Sequence, residues 1–365
     1  MKLTDDFLSI VLNETPLLDV RAPVEFTKGA FINATNIAIL EDKERHLVGT
    51  KYKEEGNAAA VKLAQELIQT QGQELRIQKW KEYLQKNPNA LLYCFRGGQR
   101  SGISQAWLED VGINITRLKG GYKAFRNYLM QESLDISASS KTLILGGRTG
   151  SGKTILLKNL KNMIDLEALA NHRGSSFGNF ATSQPSQIDF ENTLAYKLIQ
   201  HHHKNYKHLV IEHESQNIGR SFIPKPVYEN FMNGELIILE TPIDKRVEIT
   251  LEEYIVQALK KYAFIYKEDA LEEWAKVTKE NLIKMKKRLG NEKYLEFKEL
   301  FENALSLHIK TGDIELYKTF IKKMLVEYYD PMYDYQIKKS KIPTVFKGNA
   351  EEVLQFINSK EESIN

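Results

Sequence analysis

The chain has 365 residues, 42% hydrophobic and 27% charged, which excludes a disordered, collagen-like or disulfide-scaffold protein and is enough for two domains. The formal net charge of +3 argues for no bulk attraction to nucleic acid and leaves local basic faces open. A single cysteine, Cys94, excludes an internal disulfide and fits a reducing compartment.

The opening Met1-Lys2-Leu3-Thr4-Asp5-Asp6 is acidic and no apolar signal region follows it. No run approaches the ~20 apolar residues of a membrane span, so a cytoplasmic protein without membrane contact is expected. Residues 17–20 and 36–39 read as short strands, 58–69 and 73–85 as helices, and 90–93 as a strand running into Cys94. Residues 101–111 read as a helix and 115–118 as another strand. A polar stretch, 131–140, ends in Ser137-Ala138-Ser139-Ser140 and predicts a linker between domains at 1–130 and 141–365. Beyond it come a strand at 142–145, a glycine-rich turn and a helix from Lys153, then buried strands at 208–211 and 235–239. Residues 243–329 are rich in Lys and Glu with apolar residues three or four apart, a helical pattern. Strands alternating with helices predict an α/β fold with parallel sheets covered on both faces.

Cys94-Phe95-Arg96-Gly97-Gly98-Gln99-Arg100-Ser101 joins a strand to a helix through a tight turn. Backbone N–H groups of such a loop form an anion cradle at the helix N-terminus. Arg96 and Arg100 add positive charge, and all three effects favour a thiolate nucleophile at Cys94, with Gly97, Gly98, Gln99 and Ser101 as the anion loop. The alternative is a buried structural cysteine. Leu18-Asp19-Val20-Arg21, Glu25-Phe26, Gly29-Ala30, Ala34-Thr35-Asn36-Ile37 and Gly120-Gly121-Tyr122 resemble a rhodanese domain, with Cys94 at the persulfide position. The Cys-x5-Arg spacing from Cys94 to Arg100 is wider than the common sulfurtransferase loop and resembles that of cysteine phosphatases. The wider loop suits a tetrahedral, phosphate-like anion, in phosphate-ester chemistry or in transfer from a phosphorylated chalcogen donor.

Gly147-Arg148-Thr149-Gly150-Ser151-Gly152-Lys153-Thr154 matches G-x-x-x-x-G-K-[ST] after a strand and before a helix, the context a phosphate loop requires. Lys153 supplies charge to the terminal phosphates, and Thr154 can ligate Mg²⁺. Glu212, at the end of a neighbouring strand, either holds Mg²⁺ through water or caps the strand; Glu214 follows it.

A rhodanese-like domain joined to a phosphate-loop domain resembles the tRNA 2-selenouridine synthase family over almost the whole chain. Further segments carry the resemblance: Glu44 to Lys53 with Gly56, Leu169 to Gly178, Glu212-His213-Glu214-Ser215 with Ile218-Gly219-Arg220, and Tyr329-Asp330-Pro331-Met332-Tyr333. The expected architecture is then an N-terminal rhodanese-like parallel sheet with flanking helices and a P-loop NTPase-like α/β domain with a helical C-terminal part. The resemblance implies conversion of wobble 2-thiouridine to 2-selenouridine with selenophosphate, through S-geranylation from geranyl diphosphate. It implies no bound prosthetic group, the tRNA anticodon arm as partner, and a selenophosphate synthetase as selenium supplier. A kinase or ATPase fused to a sulfurtransferase domain and not acting on tRNA uses the same motifs, as does a non-catalytic pair of metabolite-sensing domains.

His172, Arg173, Ser175, Ser176 and Phe177, with Glu214 and Arg220, are candidates for a ligand loop; the alternative is an ordinary surface loop. The basic runs 284–288 and 338–341, with Lys123 and Arg126, are either contacts to tRNA phosphates or solvated faces. His201-His202-His203 reads as surface residues on a helix rather than a metal site, and no metal centre is expected.

Overall fold

The computed structural model describes residues 2–175, 177–178 and 180–362. In chain order the first elements are β1 (Lys2–Thr4), α1 (Phe7–Leu12), β2 (Leu17–Asp19), α2 (Pro23–Phe26), β3 (Ala34–Asn36), α3 (Asp42–Lys86), β4 (Leu91–Tyr93), α4 (Gln99–Asp110), β5 (Thr116–Leu118) and α5 (Gly121–Ser139). They continue with β6 (Thr142–Gly146), α6 (Lys153–Leu157), β7 (Met163–Ile164), α7 (Leu166–Leu169), α8 (Gln187–His202), β8 (Leu209–Glu212), β9 (Asn217–Ile218), β10 (Ser221–Phe222), α9 (Lys225–Met232) and β11 (Glu235–Leu239). Last come α10 (Ile243–Leu251), α11 (Gln257–Tyr266), α12 (Ala270–Leu289), α13 (Asn291–Thr311), α14 (Tyr317–Met324), α15 (Asp330–Lys339), β12 (Thr344–Gly348) and α16 (Ala350–Glu362). Two compact units divide the chain, Met1–Ile136 with Ser186–His203, and Ser137–Pro185 with Lys204–Asn365. No described helix is long and apolar enough to cross a membrane.

The first unit holds a parallel sheet in the order β1-β5-β4-β2-β3. Its central strands are buried, as in a sheet covered on both faces. Leu18, Val20, Leu92 and Cys94 share one apolar cluster with Trp80 and Leu108. Helix α3 is broken at Gly56 and Gln69, where φ is +82° and +53°. The two expected helices are its second and third segments. Glycine takes that conformation freely, whereas Gln69 bears the Cβ strain of a left-handed residue, about 1 kcal/mol.

Helix α8 was expected with the second domain by its place in the chain, and it belongs to the first unit. Its Asn192 Nδ2 donates to Ala30 O at 2.7 Å, and its Asp189 accepts from Ala30 N at 2.7 Å. Arg126 of α5 pairs with Glu191 and donates to Asn192 at 2.6 Å. Arg126 is therefore held inside its own unit, and a role on tRNA phosphates is corrected to a structural one. Of the three histidines, His202 and His203 are exposed but His201 is buried, which corrects its reading as a surface residue. Residues 131–139, expected as linker, are helical and continue α5.

The second unit holds a parallel sheet in the order β12-β11-β6-β8-β7, with β6 at its centre. Leu143, Leu145, Val210 and Ile237 form its core with Val353 and Ile357 of α16. The edge strand β12 is largely exposed and lacks the apolar run that marks a buried strand, which is why sequence alone passes over it. The helices from α10 to α14 enclose a separate apolar cluster containing Trp274, Phe301, Tyr317 and Phe320.

Candidate functional site

Strand β4 ends at Tyr93, and Cys94 begins the loop that leads into α4. Two glycine turns close on each other there. Tyr122 N donates to Cys94 O and Lys123 N to Phe95 O, each at 2.9 Å. Gly121 has φ +60°, and a Cβ on it would lie 2.2 Å from Cys94 O and 2.4 Å from Gly97 N. Gly121→Ala should therefore destabilise the protein by ~2 kcal/mol or more. A urea titration reads this, and an unchanged midpoint would contradict the close approach.

Cys94 is only 3% exposed, and its Sγ lies 3.1 Å from Ser101 Oγ in the first turn of α4. The two expected cationic neighbours are placed differently from the expectation. Arg100 is paired with Glu25 through both guanidinium nitrogens, and Arg96 is exposed with its guanidinium 5.9 Å from the Phe95 ring. Burial pulls the Glu25 carboxyl up, but hydrogen bonds and charge from Arg100 outweigh it and hold Glu25 below the usual range. Arg21 forms a buried pair with Asp19 at 2.6 Å and donates to Gly29 O, bracing the loop after β2. A cleft of about 420 Å³ adjoins the thiol loop. Gln99 and Arg100 line it together with Arg45, His46 and Lys53 of α3 and an apolar floor that includes Ile68 and Trp107.

The phosphate loop follows β6 in the second unit, as its spacing predicts. Gly150 and Gly152 have φ +77° and +87°, and a Cβ on Gly150 would lie 2.4 Å from Thr250 Oγ1. Arg246 Nε donates to Thr149 O and Thr241 Oγ1 to Ser151 O, each at 2.9 Å. Arg246 is itself anchored on Asp330 at 2.6 Å. Lys153 Nζ donates to Gly147 O at 2.9 Å, folded over the mouth of its own loop. Gly147, Thr149, Gly150, Ser151, Gly152, Lys153 and Thr154 line a pocket of about 280 Å³. The side chain of Arg148 lies elsewhere, bidentate on Asp334 at 2.8 Å.

The candidate ligand loop divides. Arg173 and Ser175 line the phosphate pocket, as does Glu214. Arg173 sits between two rings, 4.6 Å from Phe180 and 4.9 Å from Tyr254, and Ser175 Oγ lies 2.9 Å from Tyr254 Oη. Phe177 instead faces the apolar helical region, edge-on to Phe320 at 6.4 Å. His172 is buried beneath Gly178 and Gly219, and burial lowers its pKa. Arg220 is exposed in the β9–β10 turn, and Ser176 lies outside the described residues. Glu212 is fully buried and accepts from Leu166 N at 3.0 Å, so its side chain meets the start of α7 rather than capping its own strand.

Sequence reading passed over Glu167 and Tyr254, which line the same pocket, and placed Arg288, which also lines it, only among the candidates for tRNA phosphates. Arg288 ends one of the basic runs, but no local motif marks Glu167 or Tyr254. Glu167 accepts from Gly174 N at 2.7 Å, and Glu214 packs against Gly174. Burial and the neighbouring Glu167 charge push the Glu214 carboxyl up to about 8, although Lys153 opposes the rise. Folded Glu214 thus holds its proton to about pH 8, whereas an unfolded glutamate loses it near 4.5. Between those values the folded chain binds more protons, so stability falls as pH rises. Glu214→Gln should flatten that fall, read as melting temperature against pH; an unaltered slope would assign it to other groups. Thr154, Glu167 and Glu214 are oxygen donors of the kind Mg²⁺ takes. Among the described residues no cluster of three or more His, Cys, Asp or Glu side chains is placed to hold a metal.

The model of the tRNA 2-selenouridine synthase AAA domain matches residues 140–364, and that of the rhodanese-like domain matches residues 4–128. A tRNA 2-selenouridine synthase of Sulfurovum sp. (strain NBC37-1) is 53% identical over 97% of both chains. This chain belongs to the tRNA 2-selenouridine synthase family. Proteins of the same name from Alcanivorax borkumensis and Hydrogenovibrio crunogenus are 42% and 44% identical, each covering 98% of this chain and 99% of the relative. Membership in this family accounts for the pairing of a rhodanese-like unit with a phosphate-loop unit, and it makes the chain an enzyme.

Proposed function

We propose that this protein converts wobble 2-thiouridine of tRNA to 2-selenouridine in two steps. The phosphate pocket supports S-geranylation from geranyl diphosphate, and the Cys94 loop supports exchange of the alkylated sulfur for selenium from selenophosphate. The observation that carries the first step is the second wall of the phosphate pocket. Thr149, Arg173, Tyr254 and Tyr329 line both that pocket and an apolar cavity among the helices of the same unit. A nucleoside triphosphate needs polar partners for base and ribose, whereas a phosphate grip bordered by aromatic and aliphatic side chains suits the diphosphate of an apolar alcohol.

In this reading the thiocarbonyl sulfur attacks C1 of the geranyl group, the C1–O bond breaks, and pyrophosphate leaves. Lys153 turns from Gly147 O to the departing phosphate, and the loop N–H groups share its charge. Mg²⁺ bound with the diphosphate would be held by Thr154 and would supply further charge neutralisation. Alkylation converts the sulfur from a poor leaving group into one that departs as geranylthiol. Selenium of selenophosphate then attacks C2 and geranylthiol departs, and Cys94 handles the selenophosphorylated nucleoside, its sulfur taking the phosphoryl group as the Se–P bond breaks and water then releasing phosphate, with a selenophosphate synthetase as supplier. Lys123, Lys284, Lys286, Lys287 and the 338–341 run are the remaining candidates for phosphates of the anticodon arm.

The test is nucleoside mass spectrometry on thiolated tRNA incubated with the protein and geranyl diphosphate, then with selenophosphate. The expected result is geranylated thiouridine, followed by selenouridine. ATP turnover without tRNA and no modified nucleoside would favour a phosphate-loop ATPase instead.

A further inference from the structure

We propose that Trp274, Phe301 and Tyr317 form the closed end of the apolar cavity and set the length of the isoprenoid chain that the enzyme accepts. This inference rests on the reading that the phosphate loop holds a prenyl diphosphate, and it assigns chain selection to residues far from that loop in sequence. The three rings come from α12, α13 and α14, with centroids 5.7 to 5.9 Å apart. All three line the cavity and none lines the phosphate pocket. The shared residues Thr149, Arg173, Tyr254 and Tyr329 therefore mark the mouth, and the ring trio belongs to the part of the cavity that the phosphate pocket does not share.

The trio is built to stay in place. Phe301 and Tyr317 are 1% and 0% exposed, and Tyr317 Oη lies 3.3 Å from His308 Nδ1 behind it. Trp274 Nε1 donates to Tyr254 O at 3.2 Å, tying the closed end to the mouth. The lining is mostly apolar, with Asn281 as its buried amide, the Oδ1 of which accepts from Lys284 Nζ at 3.3 Å. Thr250 donates its hydroxyl to Arg246 O and Thr278 donates to Trp274 O, each at 2.8 Å, so both can turn methyl groups to the cavity. A chain with its diphosphate fixed on Lys153 has one direction to extend, and a packed aromatic wall resists further carbons. Discrimination of about tenfold or more for each excess group follows from such a pocket.

The experiment measures binding of inorganic pyrophosphate, geranyl diphosphate and farnesyl diphosphate to the full chain by calorimetry. Wild type should bind geranyl diphosphate at least ~100-fold more tightly than pyrophosphate, and farnesyl diphosphate at least ~10-fold more weakly than geranyl. Phe301→Ala, or the milder Phe301→Leu, should raise farnesyl binding to the geranyl level with pyrophosphate binding retained. Ala258→Phe, which fills the cavity from α11, should reduce geranyl binding to the level of pyrophosphate. If wild type prefers geranyl diphosphate and these variants bind pyrophosphate but leave the geranyl-to-farnesyl ratio unchanged, the gauge is refuted and the prenyl-diphosphate reading survives. If wild type does not distinguish geranyl diphosphate from pyrophosphate, both fall. A geranyl diphosphate analogue photoreactive at its far end gives a readout without substitution. It should label peptides of α12 to α14, and labelling confined to other segments overturns the proposal.

Discussion

Lys153→Ala should slow geranyl transfer to thiolated tRNA by about 10²- to 10³-fold, with exchange of already geranylated tRNA for selenium preserved. The loop holding Lys153 is shaped mainly by other groups, although Lys153 itself donates to Gly147 O. Arg246 and Thr241 fix the carbonyls of Thr149 and Ser151, and Asp330 anchors Arg246. The substitution therefore removes charge from a cradle that stays formed. Because charge on the phosphates grows as the C–O bond breaks, the loss should appear mainly in kcat rather than in KM for the donor. Single-turnover reactions followed by nucleoside mass spectrometry measure it, and an undiminished rate would remove the phosphate loop from the transfer step.

Cys94→Ala should reduce selenouridine formation by roughly 10³-fold or more while geranylation continues, so the geranylated or the selenophosphorylated nucleoside accumulates. Main-chain bonds from Tyr122 to Cys94 O and from Lys123 to Phe95 O position the loop, and the thiol adds a hydrogen bond to Ser101 and a small share of the apolar cluster, which alanine largely keeps. Folding should survive its removal, and a near-native melting temperature checks that. The opposite pattern, geranylation abolished and selenium exchange intact, would reverse which unit performs which step.

The parallel sheets, the cysteine loop and the phosphate loop were legible from short runs of residues. Buried parallel strands announce themselves as apolar runs such as Leu143-Ile144-Leu145, and glycine spacing announces the turns. The electrostatics around those loops were not legible. Arg100 and Arg148 carry charge in the expected loops, but Glu25 and Asp334 take up that charge. Glu167 joins the phosphate pocket without any motif, because α7 and the loop after it bring it there.

By itself the sequence determined where the two anion loops lie, since each is a backbone shape set by glycines and a helix start within a few residues of one another. Only the tertiary structure decided the partners of the arginines, the unit to which α8 belongs and the apolar cavity beside the phosphate pocket. Those depend on groups far apart in the chain, with Glu25 and Arg100 separated by 75 positions and Arg148 and Asp334 by 186. An amphipathic helix or a charged side chain carries the same local pattern whichever surface finally receives it.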